Sequence, residues 1–541
     1  MSRHSSAHPS RRALLGTGLA AGITVLSNAP ALAADRAYAS VGTHERSLAR
    51  RTAPAFLRSG RPSLSHGIAS GDPTGDGAVV WARSDQVARM TVDLSRTPDF
   101  ARVTTVPGPV LTEATNFTGK LDLRGLPAGR ELFYRVTLED PDRHGVGGEP
   151  LAGRLVTAPR SRRTSVSFLW SGDMVGQGWG INPDLGGITI FDRMRALRPD
   201  FYLNSGDTVY ADGILTETVT LPDGRIWRNV TTEEKSKVAE TLAEYRGQWA
   251  YNLLDEHVRA FAADVPQIAQ WDDHEVTNNW YPGEVLDDAR YTEKRVDVLA
   301  ARARQAFFEW MPIRPVRRDP DGRVYRKIAY GPLLDLFVLD MRTYKDANTD
   351  GLETVPDGGV LGRRQQAWLT SELLASRATW KVIANDLPLG LVVPDGETAI
   401  EGVAQGDPGR PRGREVEFAG LLSTLRRHRV RNVVWLTADV HYAAAHAYSP
   451  ERATFTDFNP FWEFVSGPVN AGGFGPNALD PTFGPEAVFV HAPPVANASP
   501  LDGYQHFGEV SIAGDSGELT VRMRDQDAKV LYAKTLQPAK A

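Results

Sequence analysis

The stretch Phe201-Tyr202-Leu203-Asn204-Ser205-Gly206-Asp207-Thr208-Val209-Tyr210 decides the reading of this 541-residue chain. Three apolar residues run into Asn, Ser, Gly and Asp, the pattern of a buried strand that ends in a tight turn and lifts a carboxylate beyond it. In an α/β sheet, ligands bind just outside the carboxyl ends of the strands. The same pattern recurs four more times. Val166–Trp170 runs into Ser171-Gly172-Asp173, and Ile268–Trp271 into Asp272-Asp273-His274-Glu275. Val382–Ala384 runs into Asn385-Asp386, and Val433–Leu436 into Thr437-Ala438-Asp439-Val440-His441. One carboxylate after a strand is ordinary. Five converging sets call for cations, because unpaired they would repel and raise one another's pKa, whereas a bound metal reverses that logic.

Taken singly, these residues have plainer readings. Asp173 and Asp207 can each cap a following helix, Tyr210 can be a core aromatic, and His274 and His441 ordinary hydrogen-bonded histidines. Asp439 and His441, two apart, face one side of an extended chain and can share an ion. Carboxylates, one amide, one phenol and imidazole form a hard, oxygen-rich donor set. A phenol of pKa about 10 becomes a ligand at neutral pH only beside a strongly acidic cation, which points to Fe³⁺. A neighbouring site of Asp207, Asp273, Asn385 and Asp439 suits Ca²⁺ better than Zn²⁺.

Outward from these motifs, the chain divides near residue 160. Between Leu64 and Thr157, short β runs separated by turns predict a small all-β sandwich of the immunoglobulin or fibronectin kind: Gly77–Ala82, Met90–Leu94, Thr118–Leu123, Glu131–Leu138 and Gly153–Thr157. After the polar linker Ala158–Arg163, apolar strands alternate with helical segments, which predicts a layered α/β domain. The helices are expected at Thr189–Leu197, Thr232–Leu254, Ala289–Glu309, Arg363–Ser376 and Glu415–His428, with β character returning over Gly508–Leu536. The expected organisation is 1–33 signal, 34–63 flexible segment, 64–158 β-sandwich and 164–536 catalytic domain.

The N-terminus reads as an export signal. Arg11-Arg12 precede the apolar run Ala13–Leu26, and Ala31-Leu32-Ala33 supply small residues for cleavage. This is the twin-arginine pattern, an address read by the export machinery and not an anchor. The expected location is secreted, with no stable membrane anchor. The chain has no cysteine, which excludes disulfides, thiolate metal sites and cysteine nucleophiles. A formal net charge of −5 argues against nucleic-acid binding as the main activity.

Jointly the motifs resemble the PhoD-like alkaline phosphatase family, whose catalytic domain is similar to calcineurin-like metallophosphoesterases and purple acid phosphatases. Gly206-Asp207-Thr208-Val209-Tyr210 resembles the family's GD-x-x-Y, Trp271–Glu275 its W-D-D-H-E, and Asp439-Val440-His441 its D-x-H. Leu339-Asp340-Met341-Arg342-Thr343-Tyr344 is similar to L-D-x-R-x-Y, and Ser65–Pro73 to the opening of the family's N-terminal β domain. The resemblance implies a layered metallophosphoesterase-type β-sandwich flanked by helices. It implies Asp207 as a bridging carboxylate, Tyr210 as a phenolate on iron with His441 beside it, and Asp273, Asn385 and Asp439 around Ca²⁺. His274 corresponds to the histidine near the scissile phosphate, and Arg342 and Asp340 support the site from behind. Many members carry a cysteine after the first catalytic strand; here Asp173 stands in that segment and is expected on the Fe³⁺ side.

The expected activity is hydrolysis of phosphomonoesters, and of some diesters, by a metal-bound hydroxide. Two rivals remain: a phosphodiesterase or phospholipase D-like enzyme on the same metals, and a non-catalytic secreted calcium-binding module. No Gly-x-Ser-x-Gly elbow supports a serine hydrolase.

Overall fold

The computed structural model describes residues 39–40, 60–314, 322–354 and 359–539. The expected signal, and most of the segment 34–63, lie outside the described residues. Ala37–Ala541 forms one compact unit, built on two large sheets.

One sheet has ten strands. Its centre is Gln267–Gln270, Phe201–Ser205 and Val166–Ser171, paired in parallel, and the antiparallel strands His506–Ile512, Leu519–Asp525 and Val530–Leu536 continue it on one side. The other has seven strands around the parallel set Leu334–Val338, Trp380–Ala384, Val433–Thr437 and Phe461–Val465. The sheets stack face to face. Alternation explains how: Phe168, Trp170, Phe201 and Leu203 of the first sheet share a core with Leu336, Val338, Val382 and Leu436 of the second. The intervening residues point the other way, toward helices. Leu169 and Tyr202 meet Phe191 and Phe261 of the helices Ile190–Ala196 and Glu256–Asp264. Ile383 and Trp435 meet Leu369 and Phe418 of Gly362–Ala375 and Glu415–Arg427. The result is the layered β-sandwich flanked by helices that the resemblance implied.

Residues 64–158 are all β, but hydrogen bonding does not stop at the expected boundary. Ile68–Gly71, Gly77–Arg83 and Thr118–Arg124 extend the ten-stranded sheet through Gly71, which pairs with Gln267. Thr104–Leu111, Ala88–Ser95, Glu131–Glu139 and Leu151–Val156 form a four-stranded sheet across a core that holds Ile68, Val80 and Leu121 on one side and Val92, Tyr134 and Val136 on the other. Trp81 donates to the Glu309 carbonyl at 2.9 Å, and the buried Asp72–Arg326 pair at 2.7 Å ties the same seam.

Several elements differ from the sequence reading, among them strands such as Leu334–Val338 and Phe461–Val465 that it did not name. Thr232–Leu254 is not one helix: Glu233–Lys235 makes a single turn, and the helix Leu242–Asn252 starts afresh at Thr241. There the Thr241 side chain accepts from the Glu244 amide while Glu244 accepts from the Thr241 amide, a capping box. The helix expected from Ala289 begins only at Val296, because Glu240 pins the Thr292 and Glu293 amides in a loop. The strand Thr104–Leu111 went unread because Pro107 and Pro109 interrupt its pattern; it lies at an edge, where missing donors cost least.

Candidate metal centre

Six parallel strands end at one edge of the sandwich, and each continues into a loop that carries polar side chains inward. From the first sheet come Asp173, Asp207 and the run Asp272–Glu275; from the second come Asp340–Arg342, Asn385-Asp386 and Asp439–His441. The turns are sharp. Asp173, Asp207, Asp439 and His441 all have positive φ, of 65, 48, 66 and 61°, conformations that cost non-glycine residues roughly 1–3 kcal/mol each and gather at functional sites. A Cβ on Gly467 would collide with Oδ2 of Asp173, so the approach of that loop to the carboxylate requires glycine.

Asp173, Asp207 and His441 each offer a ligand atom within 4.8 Å of the others, as do Asp207, Asp273 and His274, and also Asp272, Asp273 and Asp439. Asp207 and Asp273 each belong to two of these groups, so the groups adjoin one another. The Tyr210 hydroxyl lies 2.8 Å from Nε2 of His441, and that nitrogen is 3.6 Å from Asp173. His441 Nδ1 donates to the Gly472 carbonyl at 2.6 Å, which leaves Nε2 with its lone pair toward the site. Asn385 donates its amide to the Leu387 carbonyl at 2.7 Å, and its Oδ1 is buried with no partner among the described residues. Both oxygens of the fully buried Asp173 are likewise unpartnered. Buried charges left this way are expensive unless paired or coordinated; these groups can hold metal ions.

Electrostatics agree. Burial pushes the Asp173 carboxyl well up, with the charges of Asp439 and Asp272 adding to it. Burial does the same at Asp207 with Asp273 adding, and at Asp439 with Asp272 adding against Arg342. Tyr210 is also pushed up, by burial and then by Asp207. His441 is pushed down to about 4 by burial. Asp273 goes the other way despite its burial, because His274 and Arg342 hold its carboxylate down.

The structure brings Asp173, Asp207, Tyr210, Asp273, His274, Asp439 and His441 together at this edge, with Asn385 at the end of the neighbouring strand. Arg342 lies behind them, fully buried, donating to Asp272 at 2.6 Å, Asp386 at 3.1 Å, Asp439 at 3.0 Å and also Glu401. Asp340 faces away; it accepts from the Trp271 indole and the Arg342 and Thr343 amides, fixing the loop and not the site.

Sequence reasoning missed Asp212 and Glu275. Asp212 accepts from His274 Nδ1 at 2.8 Å and from the Asn278 amide at 3.0 Å. Together with Asp273 it outweighs burial and raises His274 to about 10. Glu275 accepts from the Asp207, Thr208 and Asp272 amides at 3.1, 2.7 and 2.7 Å, locking two ligand loops to each other. Its signal was in view, as the last letter of the Trp271–Glu275 motif.

Comparison with known proteins bears on this geometry directly. The profile of the PhoD-like phosphatase family matches residues 168–523, and that of the PhoD-like phosphatase N-terminal domain matches residues 51–159. Alkaline phosphatase D of Bacillus subtilis (strain 168) is 26% identical over 436 residues, covering 76% of this chain and 70% of the relative. A solved structure of PhoD superposes with a TM-score of 0.68 at 22% identity, covering 90% of this chain and 92% of the other. A purple acid phosphatase from yellow lupin (Lupinus luteus) seeds shares the fold at a TM-score of 0.55 and 12% identity, covering 89% and 75%. With about two thirds of its length inside the phosphatase profile and with buried acidic and histidine groups that can hold metal ions, this chain belongs to the PhoD-like phosphatase family and is a metal-dependent phosphatase.

Proposed function

We propose that the chain is an exported phosphoester hydrolase whose first cation, Fe³⁺, is held by Asp173, Asp207, Tyr210 and His441, and whose second, Ca²⁺, is held by Asp207, Asp273, Asn385 and Asp439. The observation that carries this reading is the fully buried, unpartnered Asp173 carboxylate beside an Asp207 common to two donor groups. Bound there, the cations supply an acidified water and neutralise phosphoryl charge.

The chain's own residues do the rest. Asp173 contributes a negative charge to the first cation, and Tyr210, whose proton burial and Asp207 otherwise retain, gives it up only to a strongly acidic cation. His441 presents Nε2 because Gly472 occupies its other nitrogen. Asp212 fixes Nδ1 of His274 and keeps the ring charged, so that Nε2–H can donate to the leaving oxygen. His274, less deeply buried than the carboxylates beside it, is the group placed to meet the phosphoryl and leaving oxygens. We read the physiological reaction as monoester hydrolysis with some diester activity.

The test is elemental analysis of natively exported protein paired with rates on a monoester and a matched diester. Iron and calcium with faster monoester turnover support the reading; calcium without iron, or no hydrolysis of either ester, defeats it. Tyr210→Phe should abolish the visible phenolate–iron absorption of the exported enzyme, checked by its spectrum; a band that survives removes Tyr210 from the ligand set.

Two further outcomes follow from the Asp212–His274 pair. Asp212→Asn should lower kcat by about 10²-fold for an alkyl phosphate, yet barely affect a nitrophenyl ester, whose leaving group departs without a proton. A leaving-group series measures it, and equal losses on both esters would show that Asp212 is not acting through His274. The proton on His274 must be present for this donation, so alkyl-ester turnover should be full below its pKa and fall as pH rises through it. The pair places that fall at about 10, and bound cations move it lower by repelling the imidazolium. A pH–kcat profile lacking the alkaline fall for alkyl esters alone would exclude His274 as the acid.

A further inference from the structure

Beneath the Asn385 turn lies a buried carboxylate that the reaction itself does not use. Glu463 sits in the strand Phe461–Val465, one strand beyond Val433–Thr437, with no solvent exposure. One of its oxygens accepts from the Leu389 amide at 2.8 Å and the other from the Tyr448 hydroxyl at 2.6 Å; the Asn385 side chain reaches the same carboxylate. His446, also buried, stands 3.8 Å away. Tyr448 closes the assembly from the neighbouring strand Ala443–Tyr448, its hydroxyl 2.7 Å from where a Cβ on Gly390 would be.

A carboxylate buried among apolar strands is costly, and a hydrophobic side chain could fill this volume at less cost. What Glu463 provides is a fixed floor for the turn Asn385–Leu389. Within that turn Asn385 Nδ2 donates to the Leu387 carbonyl, and Oδ1 is buried with no partner among the described residues. Where Leu389 sits decides where Leu387 sits, and Leu387 decides which way Asn385 points. We propose that Glu463, held by Tyr448, is the positioning residue that aims Asn385 Oδ1 at the second cation. The inference rests on the reading of Asn385 as a ligand of that cation.

Supporting partners behind a ligand are worth about 10–100-fold in metal affinity. Titration of Ca²⁺ alone into calcium-free protein, followed by calorimetry and by the calcium-induced rise in melting temperature, reads this without turnover. Asn385→Ala is the reference. Glu463→Leu should weaken Ca²⁺ binding by about 10-fold or more. Tyr448→Phe should weaken it severalfold, while Glu463→Gln, which keeps an acceptor for the Leu389 amide, should stay close to the parent. Phosphatase activity lost in Glu463→Leu at limiting Ca²⁺ should return at excess Ca²⁺, a rescue that general loosening of the core would not give. If Glu463→Leu does not fold, Tyr448→Phe against Glu463→Gln carries the test. Normal Ca²⁺ affinity in Glu463→Leu and Tyr448→Phe, with Asn385→Ala weakened, overturns the positioning role. Normal affinity in Asn385→Ala overturns the ligand reading beneath it.

Discussion

Asp207→Asn should remove phosphatase turnover, with kcat falling at least about 10³-fold, equivalent to roughly 4 kcal/mol of lost transition-state stabilisation. The reasoning is geometric. Asp207 lies within ligand distance of Asp173 and His441 on one side and of Asp273 on the other, and the proposed function has it serve both cations. Asparagine matches its volume and keeps an acceptor for the His274 amide, so the fold has little reason to change. What would be lost, on the proposed reading, is one negative charge and one of the carboxylate oxygens with which Asp207 would hold the cations. Metal content should fall together with activity, and unfolding in denaturant should be close to that of the parent measured without metals. Near-normal kcat in the metal-replete variant would defeat the assignment of Asp207 as the shared ligand, whatever the fate of the other residues.

The second large effect is on stability and comes from Arg342→Met. The guanidinium has no solvent exposure and donates to Asp272, Asp386, Glu401 and Asp439, with Asp273 at 3.7 Å. Removing one partner of a single buried pair already costs about 3–5 kcal/mol, because the remaining charge is stranded. Here three carboxylates, Asp272, Asp386 and Asp439, would be stranded together, while Glu401 keeps Lys345 at 3.5 Å, so a loss at the top of that range is expected, read as a lower midpoint in denaturant. Arg342→Lys keeps the charge but cannot serve so many oxygens with one ammonium, and should fall between methionine and the parent. If Arg342→Met unfolds at the parental midpoint, Arg342 is not the counter-ion that lets this acidic cluster be buried.

Much of this was legible in the sequence because the informative signals were local. A strand followed by Gly-Asp or Asp-x-His places an acid beyond a sheet edge, and five such endings implied one rim before any pairing was known. The supporting residues were harder to find. Asp212 follows Asp207 within one loop, and nothing in its neighbours distinguishes it from a surface acid until His274 is seen to turn toward it. Glu463 and Tyr448 belong to strands whose alternation reads as plain core, and only the pairing of those strands shows a carboxylate under the Asn385 turn. Helix boundaries failed where a long charged stretch masked a fresh start at Thr241. The extent of the first sheet was illegible for a different reason, since the pairing of Gly71 with Gln267 joins segments far apart in the chain and leaves no mark on either.

That pairing has a consequence for how the protein can be cut. Without residues 64–158, the pairing at Gln267 is lost and Gln267–Gln270 becomes the outermost strand of its sheet, where another molecule can pair with it. Trp81 and Asp72 would leave behind an indole-shaped gap and a solitary arginine. The upstream β region is therefore the selvedge of the phosphatase fabric, and a fragment trimmed at residue 160 is expected to clump instead of working as a smaller enzyme.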